Sequence, residues 1–515
     1  MSGSTRVRVR PGAYHDSVSL MQVSGAVGRA PGVSAALVAM ATPLNVELAA
    51  GMGLPAPEGA GPNDLLVALR GEDEAALDGA EQVLEQALAG LSAPASAGWG
   101  APPPPRTTAA AAARAADAGL ALVSVPGPSA CAEALDALRA GLSVMVFSDN
   151  VPVEQEVLLK DEAARRDLLV MGPDCGTAVV AGVGLGFANA VRPGPVGLVA
   201  ASGTGAQQVM ALLDASGVGV SHCLGLGGRD LSAAVGGRSA RQALRALDAD
   251  PATELVVLVS KPPAPEVAEE VAALAASLGT PVQLALLGPD RDDLTAAARA
   301  AVEAVGGTWS APERWDPAGH DDAGLRRAPV LRGLFAGGTL CDEAMAVAAR
   351  ALGPVRSNIP LDPAWALPDD LATAGAGHAM LDLGDDRMTQ GRAHPMIDQR
   401  TRLDRLAQEA DDPDVGVLLL DVVLGHGAHP DPASELAPAL GAAVARAAGQ
   451  GRRLDVVVSL CGTDADPQGL RQQAAALAGA GAQVHRSNAA AARAAVALAT
   501  APATAPATAS PEVPA

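Results

Sequence analysis

The stretch Gly197–Leu213, "GLVAASGTGAQQVMALL", decides the fold class. Leu198–Ala201 read as a short buried strand, and Val209, Leu212 and Leu213 share one face of a helix. Between them, Ser202, Gly203, Thr204 and Gly205 form a turn in which the first N–H groups of the helix have no carbonyl partner. The turn therefore offers backbone donors at the positive end of a helix, a seat for phosphate or carboxylate. A strand that passes through a Gly-rich turn directly into a helix is the repeating unit of an α/β domain with a parallel sheet.

Working outward, the same rhythm recurs. Upstream, "LALVSVPG", "CAEALDALRAG", "SVMVFSD", "VEQEVLLKDEAARR" and "DLLVMGPDCGT" alternate strand and helix, and downstream "ELVVLVSKPPAP" and "PVQLALLG" continue the pattern. A further unit starts at "VLRGLFAGGTLCDEAMAVAARAL" and runs through "VGVLLLDVVLGHGAHPD" and "LDVVVSLCGTDADPQGLRQQAAALAGAG". The reading is α/β with several doubly wound parallel-sheet domains after a small α+β domain. The expected boundaries are 1–92 for the α+β domain, 93–108 for a Pro-rich linker, 109–194 and 195–308 for two α/β domains, 309–328 for a polar linker, 329–498 for a third α/β domain and 499–515 for a low-complexity tail. Gly-rich turns follow strands at Ser202–Gly205, Gly337–Thr339, Gly425–Gly427 and Cys461–Thr463. Every βα connection favours glycine and a capping residue, so no single turn identifies a ligand.

Bulk properties narrow the function. A chain of 515 residues exceeds one ordinary core, and about three or four domains are expected. Aromatic residues make up 2%, so the cores are aliphatic. The formal charge of −21 argues against a nucleic-acid surface, which needs clustered Lys and Arg. An anionic ligand must then be held locally. Only two lysines occur, Lys160 and Lys261, and no GxxxxGK[ST] phosphate loop is present. The five cysteines are scattered and lack CxxC spacing, which suits a reducing compartment and gives no zinc site. No run of apolar residues has the length of a membrane span, and "MSGSTRVRVRPGAY" lacks the apolar core of a signal peptide, so the reading places the protein in the cytoplasm.

"MGPDCGT" (171–177), "ASGTGAQ" and "LGLGGRDL" resemble the α subunit of succinyl-CoA synthetase, and the last α/β unit resembles the carboxyl domain of that enzyme's β subunit. The fused arrangement is similar to the FdrA family of acyl-CoA-synthetase-like proteins, carried by "GLFAGGTLCDEA", "GRAHPMID" and "GHGAHPDPA". The resemblance implies a CoA-binding Rossmann-like domain followed by two flavodoxin-like ligase domains. It implies acyl transfer between a CoA thioester and phosphate, with coenzyme A as cofactor and other subunits or a second copy as partners. It also implies two helix N-termini cradling one phosphate: Ser202–Gly205 matches the first, and "LGHGAHP" with Gly425 and Gly427 lies where the second is expected. Pro173, Asp174, Cys175, Gly227, Gly228, Cys461, Gly462 and Thr463 fall on the matched turns as CoA or substrate contacts.

The chain departs from that family at the chemistry. No histidine occurs between His222 and His320, where the phosphorylated histidine belongs, and "SKPPAP" puts Lys261 where an orienting carboxylate is expected. A lysine there fits direct holding of a carboxylate or phosphate. His394, flanked by Arg392 and Asp398, is a candidate replacement nucleophile or a substrate contact, against the alternative of a loop histidine beside a proline. Arg392 is a carboxylate fork. His426 and His429 sit at a sheet's ligand edge, with Asp421 and Asp431 as the only close metal donors, so acid–base or anion work is expected and no metal. Cys175 and Cys461 are read first as buried small residues. Asp230 is expected to cap a helix, with Arg229 near an anion.

Three functions remain open: CoA-ligase-type acyl transfer; a subunit of a carbamoyltransferase acting on oxamate and carbamoyl phosphate, to which the FdrA resemblance also points; and a non-catalytic scaffold.

Overall fold

The computed structural model describes residues 4–13, 15, 17–91, 105–115, 117–288, 291–317, 325–373, 375, 377–389 and 393–501. The chain forms two compact units, Met1–Asp174 with Asp386–Asp398, and Cys175–Asp385 with Gln399–Ala515.

The first unit opens with β1 (Ser4–Arg10), α1 (Ser17–Gly28), β2 (Val33–Met40), α2 (Pro43–Gly51), β3 (Leu65–Gly71) and α3 (Glu74–Leu91). The strands form an antiparallel sheet in the order β1-β3-β2. Leu65, Val67 and Leu69 pack with Val23, Val27 and Leu84 on one face, while Leu66 and Ala68 pack with Leu37 and Leu54 on the other. The arginines of "TRVRVR" meet the acidic side of α3: Arg6 pairs with Glu74, Asp78 and Glu81, and Arg8 with Glu81. After residue 104 come α4 (Thr108–Arg114), β4 (Leu120–Val123), α5 (Gly127–Arg139), β5 (Ser143–Val146), α6 (Val153–Arg165) and β6 (Val170–Met171), with a parallel sheet β4-β5-β6. This is half of a doubly wound sheet.

The second unit contains two larger sheets. The first uses β7 (Thr177–Val180), β8 (Val183–Gly186), β9 (Pro193–Ala200), β10 (Val220–Gly225), β11 (Leu255–Ser260) and β12 (Val282–Leu286), in the order β12-β11-β9-β10-β7-β8, with helices α7 (Gly203–Ala215), α8 (Arg238–Asp248), α9 (Pro265–Ala275) and α10 (Leu294–Ala304). The hairpin β7–β8 joins this sheet through an antiparallel pairing with β10, so residues 177–186 do not extend the β4-β5-β6 sheet as the 109–194 boundary supposes. Its hydrogen bonds go to the strand edge left open beside β10.

The second sheet comprises β13 (Arg314–Trp315), β15 (Val330–Phe335), β16 (Ala379–Asp382), β17 (Val415–Val423), β19 (Asp455–Cys461) and β20 (Ala482–His485), after the short β14 (Arg326–Arg327), which pairs with β18 (Arg452–Arg453). Its helices are α11 (Gly338–Leu352), α13 (Arg400–Asp411), α14 (Pro432–Gly449), α15 (Leu470–Gly479) and α16 (Asn488–Thr500), while the short α12 (Asp386–Thr389) belongs to the first unit. The parallel strands run β16-β15-β17-β19-β20, the flavodoxin-like order 2-1-3-4-5, with β13 antiparallel at the edge. The strands β11 and β17 are buried along their whole length, as parallel strands covered on both faces must be. Arg314 and Trp315 therefore form sheet edge inside the stretch read as a linker, 309–328. The tail beyond Ala501 lies outside the described residues.

Candidate functional site

In an open parallel sheet, the loops after the two strands flanking the reversal of strand order diverge and leave a crevice. That point lies between β9 and β11 in the first sheet of the second unit, and between β15 and β17 in the second. The turn after β9 is Ser202–Gly205, Lys261 follows β11, and Gly337–Thr339 follow β15.

The two turns meet. Ser202 Oγ accepts the Gly205 N–H (3.0 Å) and donates to Thr339 Oγ1 (2.6 Å). A Cβ on Gly337 would lie 2.8 Å from Thr204 Oγ1, and one on Gly205 would lie 3.0 Å from Thr339 Cγ2. The close approach thus depends on glycine. Among the described residues, the N–H groups of Gly203, Thr204, Gly338 and Thr339 donate to no protein acceptor. The positive ends of α7 and α11 therefore open at one place.

A buried carboxylate fixes this turn from below. Asp421, fully buried on β17, accepts the N–H groups of Ala336 (2.7 Å) and Gly337 (2.8 Å). Arg402 closes the charge, with Nη2 3.3 Å from Asp421 Oδ1 and Nη1 donating to the Asp421 carbonyl.

Lys261 supplies the cation. Its Nζ lies 3.4 Å from Asp342 Oδ2, with the lysine side chain 37% exposed and the aspartate 10%. Burial pulls the ammonium down, but Asp342 and Asp382 outweigh it and leave Lys261 above the ordinary lysine value. Burial raises Asp342, with Lys261 opposing, and pushes Asp382 up to about 7.

The start of α10 lies just beyond the region where the resemblance places a phosphohistidine. Here buried Glu343 accepts the Leu294 N–H (2.7 Å) and Asn488 Nδ2 (2.7 Å). Burial lifts its carboxyl to about 7 from the ordinary 4.5. Between those values the folded chain binds a proton that the unfolded chain has released, so this group's stabilisation is lost as pH rises through the window. Glu343→Gln is expected to flatten the fall in thermal midpoint between pH 5 and pH 7.5, and a slope equal to the wild type would remove Glu343 from the account.

The other sequence candidates have different placements. The helix N-terminus facing Ser202–Gly205 is that of Gly337–Thr339, not the loop at Gly425 and Gly427. That loop packs on residues 186–189: His426 N–H donates to the Ala188 carbonyl (2.9 Å), and a Cβ on Gly427 would meet Phe187. Helix α14 after it is capped by its own Asp431. His426 is exposed, and His429 Nε2 lies 3.3 Å from Glu435. His394 belongs to the first unit, where its Nδ1 accepts the Met396 N–H (3.2 Å), and Arg392 lies outside the described residues. Pro173 and Asp174 end the first segment of the first unit, and Cys175 is buried in the second unit with its thiol directed to the Thr177 carbonyl (3.6 Å). Asp230 caps α8 through the Ser239 and Ala240 N–H groups, beneath the Gly227–Gly228 turn, while Arg229 is exposed. The Cys461–Thr463 turn is filled by the fold: Thr463 Oγ1 donates to the Ala190 carbonyl (2.7 Å), a Cβ on Gly462 would meet Leu424, and burial pushes the Cys461 thiol up.

Sequence reading missed Thr339, Asp342 and Asp382 as site residues and weighed Asp421 only as a metal donor. The available signal was an acidic residue at or near the carboxyl end of each of two parallel strands, in "AMLDLGDD" and "LLLDVVLG".

Comparisons with known proteins agree with the domain content. Residues 334–498 match the CoA-ligase family, and residues 1–103 match the heavy metal-associated domain of AllF. Residues 1–103 contain no cysteine and a single histidine, His15. YahF of Escherichia coli is 40% identical over 496 residues, covering 93% of this chain and 95% of that protein. Subunit alpha 2 of the ADP-forming succinate–CoA ligase of Archaeoglobus fulgidus is 30% identical over 152 residues, 29% of this chain and 52% of the subunit. This chain thus spans about half the length of that ligase subunit. A dinucleotide-forming acetyl-coenzyme A synthetase of Ca. Korarchaeum cryptofilum, solved with phosphate and ADP, superposes over 74% of this chain and 82% of that one, with 16% identity and a TM-score of 0.28. No helix among the described residues is long and apolar enough to cross a membrane. With YahF, the chain belongs to the FdrA-type family of acyl-CoA-synthetase-like proteins and carries a CoA-ligase domain.

Proposed function

We propose that the paired N-termini of α7 and α11, with Lys261, seat the phosphate of a small acyl phosphate, and that the protein transfers the acyl group between that phosphate and the thiol of coenzyme A. The observation that carries this reading is the junction of Ser202, Thr204 and Thr339 with four unpartnered N–H groups beside a lysine. Two helix dipoles and an ammonium offset the desolvation of a phosphate and stabilise it as a leaving group. In that step the thiolate attacks the acyl carbon, the C–S bond forms, the C–O bond to phosphate breaks and inorganic phosphate departs.

The CoA-ligase domain supports CoA as the acceptor. The absence of histidine between His222 and His320 supports direct displacement without a phosphohistidine relay. That same absence favours a second reading, in which the acyl phosphate is carbamoyl phosphate and the acceptor is a small amide such as oxamate, within a multi-subunit assembly. Calorimetric titration with coenzyme A at low salt, followed by acetyl phosphate and carbamoyl phosphate, separates the two. Saturable CoA binding with CoA-dependent phosphate release supports thioester chemistry. Carbamoyl phosphate binding without CoA binding supports the second reading. Binding of none, with partner proteins present, leaves a scaffold.

A further inference from the structure

One oxygen in the seat has no assigned role. Asp382, 5% exposed at the end of β16, is held on both sides of its backbone by Asn358, which donates to the Asp382 carbonyl (2.8 Å) and accepts its N–H (2.9 Å). Its Oδ1 accepts the Gly384 N–H (2.9 Å). Its Oδ2 accepts no hydrogen bond among the described residues and points at the first residue of α11. A Cβ on Gly338 would lie 2.5 Å from this oxygen and 2.9 Å from Lys261 Nζ. A carboxyl oxygen of a buried aspartate, an ammonium and the open end of a helix therefore converge on one glycine. Around them, α11 contributes Asp342 and the buried Cys341, the loop after β11 contributes Lys261, and the turn after β16 contributes Asp385. On β15, Asp382 is paired with Phe335, which carries no charge.

We propose that Asp382 is the residue that selects the charge of the bound anion: with its proton on Oδ2 it donates to the ligand, and without it a second carboxylate repels a dianion. This rests on the reading of the seat as a phosphate site. When Oδ2 is protonated, Lys261 faces one carboxylate, Asp342, and the helix ends leave a net positive site. When it is ionised, two carboxylates face one ammonium. Burial holds the change near neutral pH.

Sulfate tests this, because it stays dianionic where phosphate itself titrates. Calorimetry of the full chain at constant ionic strength, from pH 6 to pH 8.5, is expected to show sulfate affinity falling toward tenfold per pH unit above about pH 7, the slope of one linked proton. Asp382→Asn keeps the shape and a permanent donor, and is expected to bind with a flat profile and roughly thirtyfold more tightly than the wild type at pH 8.5. Asp382→Ser serves should the amide disturb folding, and is expected to be equally flat. A flat wild-type profile, with binding that Lys261→Ala weakens, overturns the role of Asp382 and leaves the seat standing. An unchanged slope in Asp382→Asn does the same. No sulfate binding in the wild type or Asp382→Asn at any pH overturns both the seat and this selection.

Discussion

Asp421→Ala is expected to destabilise the second unit by about 3–5 kcal/mol, the range for a buried ion pair that loses one partner. The carboxylate sits on β17, which pairs with β15 on one side and β19 on the other. Its removal strands the Arg402 guanidinium, whose side chain is 2% exposed, and frees the N–H groups of Ala336 and Gly337 in the core. Burial already works against both charges, lowering Arg402 and raising Asp421, so each depends on the other and on the backbone donors. Asp421→Asn retains one acceptor and is expected to cost less. A chain of several domains does not unfold in one step, so the measurement is hydrogen exchange of the β15 and β17 amides. Unchanged protection in Asp421→Ala would show that the turn before α11 holds itself. If the turn relaxes, the N-terminus of α11 loses its aim, and anion affinity should fall together with exchange protection.

Lys261→Ala is expected to weaken phosphate and acyl phosphate binding about 10- to 100-fold, the loss of one charge-assisted hydrogen bond of about 1.5–3 kcal/mol. It also removes the cation that opposes the burial of Asp342 and Asp382, so both carboxyls should hold their protons to higher pH. Stability should change little, because the lysine side chain is 37% exposed and its ion pair is screened. Lys261→Arg is not expected to restore affinity, since the seat is crowded around Gly338 and a planar fork needs more room than an ammonium. Equal affinity in wild type and Lys261→Ala would place the anion elsewhere.

The strand–turn–helix at Gly197–Leu213 was legible because local rules specify it: an apolar run, a serine cap and a period of 3.6 residues. The α/β alternation and the small first domain were legible for the same reason. Lys261 stood out because only two lysines occur and one follows a strand. The partner of the Ser202–Gly205 turn was not legible. Four turns of similar composition competed, and the turn at Gly425–Gly427 looked as suitable as Gly337–Thr339. Both turns follow strands that flank the reversal, and what separates them is packing: the turn after β15 meets Ser202 and Thr204, whereas the loop after β17 is filled by residues 186–189.

The sequence alone therefore determined the class of fold, the acidic surface and the scarcity of cations that makes Lys261 stand out, because these depend on composition and short-range periodicity. Tertiary structure alone decided that Thr339 faces Ser202, that Asp421 braces α11 and that Asp382 meets Lys261 at Gly338. Those groups lie far apart along the chain: the pairing of β17 with β15 brings Asp421 under α11, and only the packing of the two separate sheets, which carries no short-range signature, brings Ser202 to Thr339 and Lys261 to Asp382.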